Sequence, residues 1–212
     1  SEANEANHIK RDTPVMCILG NPPYSVSSTN KGEWIQNLIA DYKKDLNERK
    51  INLDDDYIKF IRYGQYFIEK NGEGVLAYIS NNSFIDGITH RQMRKNLLET
   101  FDKIYIIDLH GNTKKKETTP DGHKDENVFD IMQGVSINIF VKTAKTTKLG
   151  KVFHYDVYGK REDKYDFLKN NALPNIEFKK LNYDMENYFF VPKNFSDDDK
   201  YKKGFKMDEL FN

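Results

Sequence analysis

Six consecutive apolar residues, Val15-Met16-Cys17-Ile18-Leu19-Gly20, run directly into Asn21-Pro22-Pro23-Tyr24. A run this short and this uniformly apolar reads as a β-strand buried on both faces, as in a parallel sheet covered by helices. The two prolines end it. Each fixes φ at about −65° and removes a backbone donor, and Pro22 drives Asn21 towards an extended conformation. The strand therefore finishes in a stiff tip that presents an amide side chain, the carbonyl of Pro22 and the Tyr24 ring.

The rest of the chain alternates helical and strand patterns. Residues 34–47 carry Ile35, Leu38, Ile39, Tyr42 and Leu46 at helical spacing, and residues 57–69 repeat it with Ile58, Ile61, Tyr66 and Phe67. Asp54, Asp55 and Asp56 stand where a helix N-terminus favours negative charge. Asn71-Gly72-Glu73-Gly74 closes that helix, and residues 75–80 form a second apolar strand. A third helix is expected over 89–101, with Met93, Leu97 and Leu98 inward and Arg91, Arg94 and Lys95 outward. Strands follow at 103–109 and 135–141. A polar, turn-rich loop over 111–134 separates them, long enough to suggest function or mobility. Strands alternating with crossover helices define an α/β fold. Beyond about Lys142 the periodicity fades, with strand-like pieces only at 152–158 and 188–191. The expected organisation is a catalytic half over 1–142 and an appendage or linker over 143–212, in which Tyr155, Tyr158, Phe189 and Phe190 would be core.

Composition narrows the function classes. With 38% hydrophobic and 13% aromatic residues the chain can build a core. Its 33 basic residues cancel 33 acidic ones, so no global field recruits a polyanion. The single cysteine, Cys17, excludes a disulfide scaffold or a cysteine-cluster zinc site and suits a reducing cytoplasm. No apolar run approaches the roughly 20 residues of a membrane span. The polar opening Ser1-Glu2-Ala3-Asn4-Glu5 is no signal peptide. A soluble, cytoplasmic protein with no membrane partner is expected.

Open α/β sheets place ligand sites beyond the carboxyl ends of their strands, where Asn21 stands. An amide or exocyclic nitrogen is a poor nucleophile because its lone pair is delocalised. Two acceptors, the Asn21 side-chain oxygen and the Pro22 carbonyl, can hold its two N–H groups, favour a tetrahedral nitrogen and aim the lone pair at an electrophile. Tyr24 would then stack on a planar substrate. The plainer alternative is a proline-stiffened strand-to-loop turn.

Asn21-Pro22-Pro23-Tyr24 after an apolar strand resembles the catalytic motif of amino-group methyltransferases. The likeness extends to residues 57–69, to the strand at 74–80 with Asn81-Asn82-Ser83-Phe84, to Arg91-Gln92-Met93-Arg94, and to Asn127-Val128-Phe129 ahead of residues 134–140. Together these resemble the gamma class of N6-adenine DNA methyltransferases, particularly those within large single-chain restriction–modification enzymes. The resemblance covers residues 13–142, and more loosely the rest, where 201–211 resembles a segment preceding a target-recognition region. It implies a partial Rossmann-like fold, the C-terminal half of a doubly wound sheet. It implies S-adenosylmethionine as methyl donor and duplex DNA with a flipped adenine as substrate. Asn21, Pro22, Pro23 and Tyr24 would be catalytic, Tyr24 and Phe129 would contact the base, and Asn21 and Phe84 would touch the cofactor. That class carries its glycine-rich cofactor loop and ribose-binding acid before the catalytic motif, and the twenty residues before Asn21 hold no Gly-x-Gly. The chain is therefore expected to be an N-terminally truncated, prokaryotic methyltransferase fragment, inactive and weak in cofactor binding by itself. Its first strand would be left with an open edge, either self-associating or covered by residues 1–11.

The remaining candidates are weaker. His8, His90, His110, His123 and His154 show no metal-ligand spacing and read as solitary surface or hydrogen-bonded residues, so no metal is expected. Asp108-Leu109-His110-Gly111 reads as a cap or loop closure before a substrate contact. Lys114-Lys115-Lys116 fits either phosphate contact or a solvated loop. Two rival functions stay open: methylation of a protein glutamine amide, which uses a closely similar tetrapeptide, and a non-catalytic module that docks DNA or a neighbouring domain.

Overall fold

The computed structural model describes residues 2–12, 14, 16–24, 28–46, 48, 53–143 and 149–194. Helix α1 (Glu2–Asp12) precedes strand β1 (Cys17–Gly20), then come helices α2 (Glu33–Lys43) and α3 (Asp56–Asn71). Strand β2 (Gly74–Asn81), the short α4 (Ser83–Asp86) and α5 (Arg91–Thr100) follow. The second half holds β3 (Lys103–Asp108), β4 (Val135–Lys142), β5 (Lys151–Asp156), α6 (Arg161–Asn170) and β6 (Lys179–Lys180).

The strands form one sheet in the order β1-β2-β4-β3-β5-β6. β1 runs parallel to β2 and β3 parallel to β5, while β4 is antiparallel to both its neighbours. The sheet does not stop at Lys142: β5 hydrogen-bonds along the whole of β3, from Lys103 opposite Lys151 to Asp108 opposite Asp156. Side chains alternate across the sheet as the two-residue strand period requires. Ile104 and Ile106 of β3 join Leu76 and Phe140 in a core covered by α2, α3 and α5. Ile107 faces the other way, into a smaller core with Leu109, Val128, Val135 and Val157.

Local chemistry explains the element ends. Gly72, at φ +88°, stops α3 by giving its N–H to Ile68 and Glu69. This is a left-handed cap that glycine adopts without strain. Gly64 lets α3 lie close on β2, since a Cβ there would stand 2.6 Å from Leu76 Cδ1. Arg94, expected outward, is fully buried. Its guanidinium donates to the carbonyls of Phe84, Gly87 and Asn187. A polar network thus replaces apolar packing at that position.

Three expectations fail. β1 is an exposed edge rather than a strand buried on both faces: Leu19 is 72% and Met16 50% exposed, and no strand among the described residues pairs with its free side. Nor do residues 1–11 cover it, as the side chains described in α1 are exposed. The strand-like piece at 188–191 is not a strand, because Tyr188 adopts φ +52° and turns the chain so that Phe190 N–H reaches Ile85 O. Helix α6 lies in a stretch with no apolar stripe, for reasons the candidate site makes plain. Of the aromatic residues expected as core beyond 142, Phe190 is buried, Tyr155 and Phe189 are half-buried and Tyr158 is exposed. Val15, Asn47 and residues 201–211 lie outside the described residues. No helix among the described residues is long and apolar enough to cross a membrane.

Candidate active site

The four parallel strands β1, β2, β3 and β5 deliver their carboxyl ends to one rim of the sheet. Asn21 follows β1, Asn82 follows β2, and Asp108 and Asp156 end β3 and β5 side by side. At the β1 end, Pro22 is buried while Asn21 and Pro23 are exposed, so the tip is anchored by one proline and offers the amide outward. Tyr24 turns back over the smaller core.

The sheet brings Tyr24 and Phe129 together across more than a hundred residues of sequence. Their ring centroids are 5.8 Å apart and their planes meet at 63°. This is the edge-to-face arrangement that aromatic quadrupoles favour. The Tyr24 hydroxyl is buried without a hydrogen-bond partner, and burial pushes its pKa above the ordinary tyrosine range. It therefore stays protonated, a donor free for a ligand.

Phe129 sits on the long loop between β3 and β4, and that loop is stapled. Asn127 Nδ2 donates to Gly111 O at 3.0 Å and Gln133 O at 2.7 Å, tying the two ends, while Asn127 Oδ1 accepts Phe129 N–H at 2.8 Å. Helix α6 grips the same segment from outside. Arg161, Lys164 and Tyr165 share one face by their three- and four-residue spacing. Lys164 Nζ donates to Leu109 O, Glu126 O and Asp125 Oδ2 at 2.6–2.8 Å. Arg161 donates to Asn127 O and Phe129 O, and the Tyr165 hydroxyl to Val128 O. Consecutive carbonyls from Glu126 to Phe129 are thus each held by α6. This grip is what the sequence pattern hides, because the helix docks through hydrogen bonds rather than an apolar stripe.

The other candidates fall elsewhere. Phe84 has no exposed surface and packs between Tyr57 and Phe190, each 6.3 Å away, so its place in the core argues against the expected cofactor contact. Lys114, Lys115 and Lys116 lie exposed on a turn, and Lys115 Nζ is 3.8 Å from Asp86. His110 and His154 are not solitary: both reach Asp156 Oδ1 at 2.9 Å. Sequence spacing could not reveal this, since His110 lies 46 residues from Asp156.

The residues described do not assemble a cradle for S-adenosylmethionine. Its carboxylate and ribose call for a glycine-rich turn after a strand and an acid beyond it. The one Gly-x-Gly of the sequence, Gly72-Glu73-Gly74, follows helix α3 and leads into β2, at the rim opposite Asn21.

Residues 2–114, just over half of the chain, match a family model described as Eco57I restriction-modification methylase. No curated protein matches the sequence. Among solved structures, the DrdV–DNA complex seen by cryo-electron microscopy is 30% identical with a TM-score of 0.77, over 89% of this chain and 19% of that one. The ATP-dependent Type ISP restriction-modification enzyme LlaBIII bound to DNA is 28% identical with a TM-score of 0.78, over 94% of this chain and 14% of its own. A nuclease-deletion mutant of the Type ISP enzyme LlaGI, with a DNA substrate mimic, shares the fold at 24% identity and a TM-score of 0.75, over 88% and 16%. The chain spans less than a fifth of each of these proteins.

Proposed function

Because this chain belongs to the Eco57I restriction-modification methylase family, we propose that it holds the target amine in a DNA methyltransferase that modifies N6 of adenine. The observation that carries the reading is the Tyr24–Phe129 contact beside the Asn21-Pro22-Pro23-Tyr24 tip. A duplex hides the adenine amino group inside the stack, so the base must be flipped out. Tyr24 then offers its face to the base and Phe129 closes the edge. The Asn21 side-chain oxygen and Pro22 carbonyl accept the two N–H groups and turn the lone pair outward. These acceptors act most strongly as positive charge develops on nitrogen, which is electrostatic stabilisation by fixed dipoles. No base is needed at the outset, since the proton leaves after nitrogen becomes cationic.

The methyl donor in this reading is S-adenosylmethionine, held mainly by residues other than those described. The chain would work within a longer cytoplasmic restriction–modification polypeptide. Residues 1–142 would carry the catalytic motif, and 143–212 would lead towards target recognition. DNA as partner is supported by the bound DNA of the DrdV and LlaBIII structures. The test offers duplex DNA and a glutamine-bearing protein substrate to the full-length protein. N6-methyladenine in DNA is expected, and Asn21→Ala should slow transfer about 100- to 1,000-fold with DNA affinity kept. Methylated glutamine, DNA binding without transfer, or activity surviving Asn21→Ala within a few-fold would overturn the reading.

A further inference from the structure

On the same rim, between the ends of β3 and β5, lies a second cluster that the methyl-transfer reading does not use. Asp108, His110 and Asp156 each bring one ligand-type atom within 4.8 Å of the other two. They border an open cleft of about 280 Å³ that Glu117, Lys115 and Tyr158 also line.

Each donor is oriented by something else. Asp108 Oδ1 is occupied by Asn82 Nδ2 at 2.9 Å and by His110 N–H at 3.0 Å, which leaves Oδ2 as the available atom. Oδ2 faces His110 Nδ1 at 3.6 Å. That is too long for a hydrogen bond, and close to the roughly 3.4 Å edge of a tetrahedron with metal bonds of about 2.1 Å. The His110 ring is fixed by stacking on Tyr158, with centroids 4.0 Å apart and planes within 12°.

His154 supplies the independent sign. Its ring is 1% exposed, and Nδ1 lies 2.9 Å from Phe190 O, which can only accept. A neutral ring must therefore carry its proton on Nδ1, and its Nε2 lone pair then points at the Asp156 carboxylate oxygen 2.9 Å away. Two acceptors facing each other in a buried place need a cation between or beside them. A carbonyl behind the ring is also how metal-binding histidines are usually set. The charge inventory agrees: the carboxylates of Asp86, Asp108, Glu117 and Asp156 line the cleft against one lysine, Lys115.

We propose that Asp108, His110 and Asp156 bind one divalent transition-metal ion, with His154 joining through Nε2. Mixed imidazole and carboxylate donors suit manganese or zinc rather than a soft ion. An ion there would lock the ends of β3 and β5 to the base of the loop that carries Phe129. This proposal does not depend on which amine the protein methylates.

The test is calorimetric titration of the metal-stripped protein with Zn²⁺, and with Mn²⁺ followed by electron paramagnetic resonance. One site per chain with micromolar affinity is expected. Asp156→Asn and, separately, His110→Gln should each remove that site or weaken it at least tenfold. The ion should also raise the melting temperature of the wild type but not of the variants. If Asp156→Asn does not fold, His110→Gln and the wild-type titration decide the matter. No binding by the wild type at about 1 mM of either ion, or binding unchanged in the variants, would overturn the proposal.

Discussion

Replacing Lys164 by methionine asks how much the grip of α6 is worth. Lys164 and Asp125 are both wholly buried and meet at 2.8 Å, and all three ammonium protons are used. Methionine keeps most of the side-chain volume but leaves Asp125 buried with only the Gly159 N–H on its other oxygen. Breaking a buried pair by removing one partner costs about 3–5 kcal/mol, because the charge left behind has neither solvent nor counter-ion. That is a large share of the roughly 5–15 kcal/mol by which a domain is stable.

Asp125→Leu should cost a similar amount for the mirror-image reason. In the double variant no buried charge remains, but Leu109 O, Glu126 O and Gly159 N–H lose partners. At about 1 kcal/mol or more for each orphaned group, the double variant should stay about 3–4 kcal/mol below wild type. It should thus be no worse than either single change. Urea unfolding with constant slope measures all three. By contrast Lys95, whose Nζ is 4.0 Å from Glu99 on the surface, should tolerate methionine within about 0.5 kcal/mol. A Lys164→Met loss below about 1 kcal/mol, or two single losses that simply add, would refute this account of the clamp.

Phe129→Ala should weaken capture of an extruded base, read by 2-aminopurine fluorescence, by about 1–3 kcal/mol of lost stacking while leaving global unfolding far less affected than Lys164→Met does. Leu19→Lys, on the exposed free side of β1, should suppress self-association in sedimentation velocity, since a lysine blunts an open strand edge; a wild-type chain that stays monomeric at high concentration would remove the premise. His90, whose pKa is lowered to about 4 chiefly by burial and then by Arg94, makes the folded state bind its proton later than the unfolded chain does. Its contribution is therefore present above pH about 6.5 and is lost progressively down to about 4. The melting temperature of wild type should drop more steeply over that window than that of His90→Gln, and parallel curves would count against it.

Much of the fold is legible in the sequence because burial writes a periodic code. The inner faces of α3 and β2, with Ile58, Ile61 and Ile68 against Leu76, are spaced as the helix and strand periods demand. The tip at Asn21 is legible for a different reason: two prolines after a strand leave the backbone little choice. β1 departs from its expected burial because the same code records what a strand is built to meet, not what stands beside it in this chain. Its apolar run fits a strand with two neighbours, yet one side is bare among the described residues.

Helix α6 and the Asp108–His110–Asp156 cluster share a deeper obscurity. Hydrogen bonds from side chain to carbonyl carry no period. Lys164, Arg161 and Tyr165 hold backbone atoms whose identity the sequence does not spell, so nothing in the partner segment marks it as a partner. The same holds for Arg94, which reads as a surface cation and instead satisfies three carbonyls. Yet these contacts decide where the site residues stand. Tyr24 is placed by its own strand, but Phe129 reaches it only because Asn127 ties the loop shut and α6 holds it from behind. The aromatic pair is therefore as much a product of residues 161–165 as of the motif itself. β3 and β5 are bound along their whole length, while the loop hangs on a few polar links. A change in that helix should therefore loosen the edge contact before it unfolds the sheet.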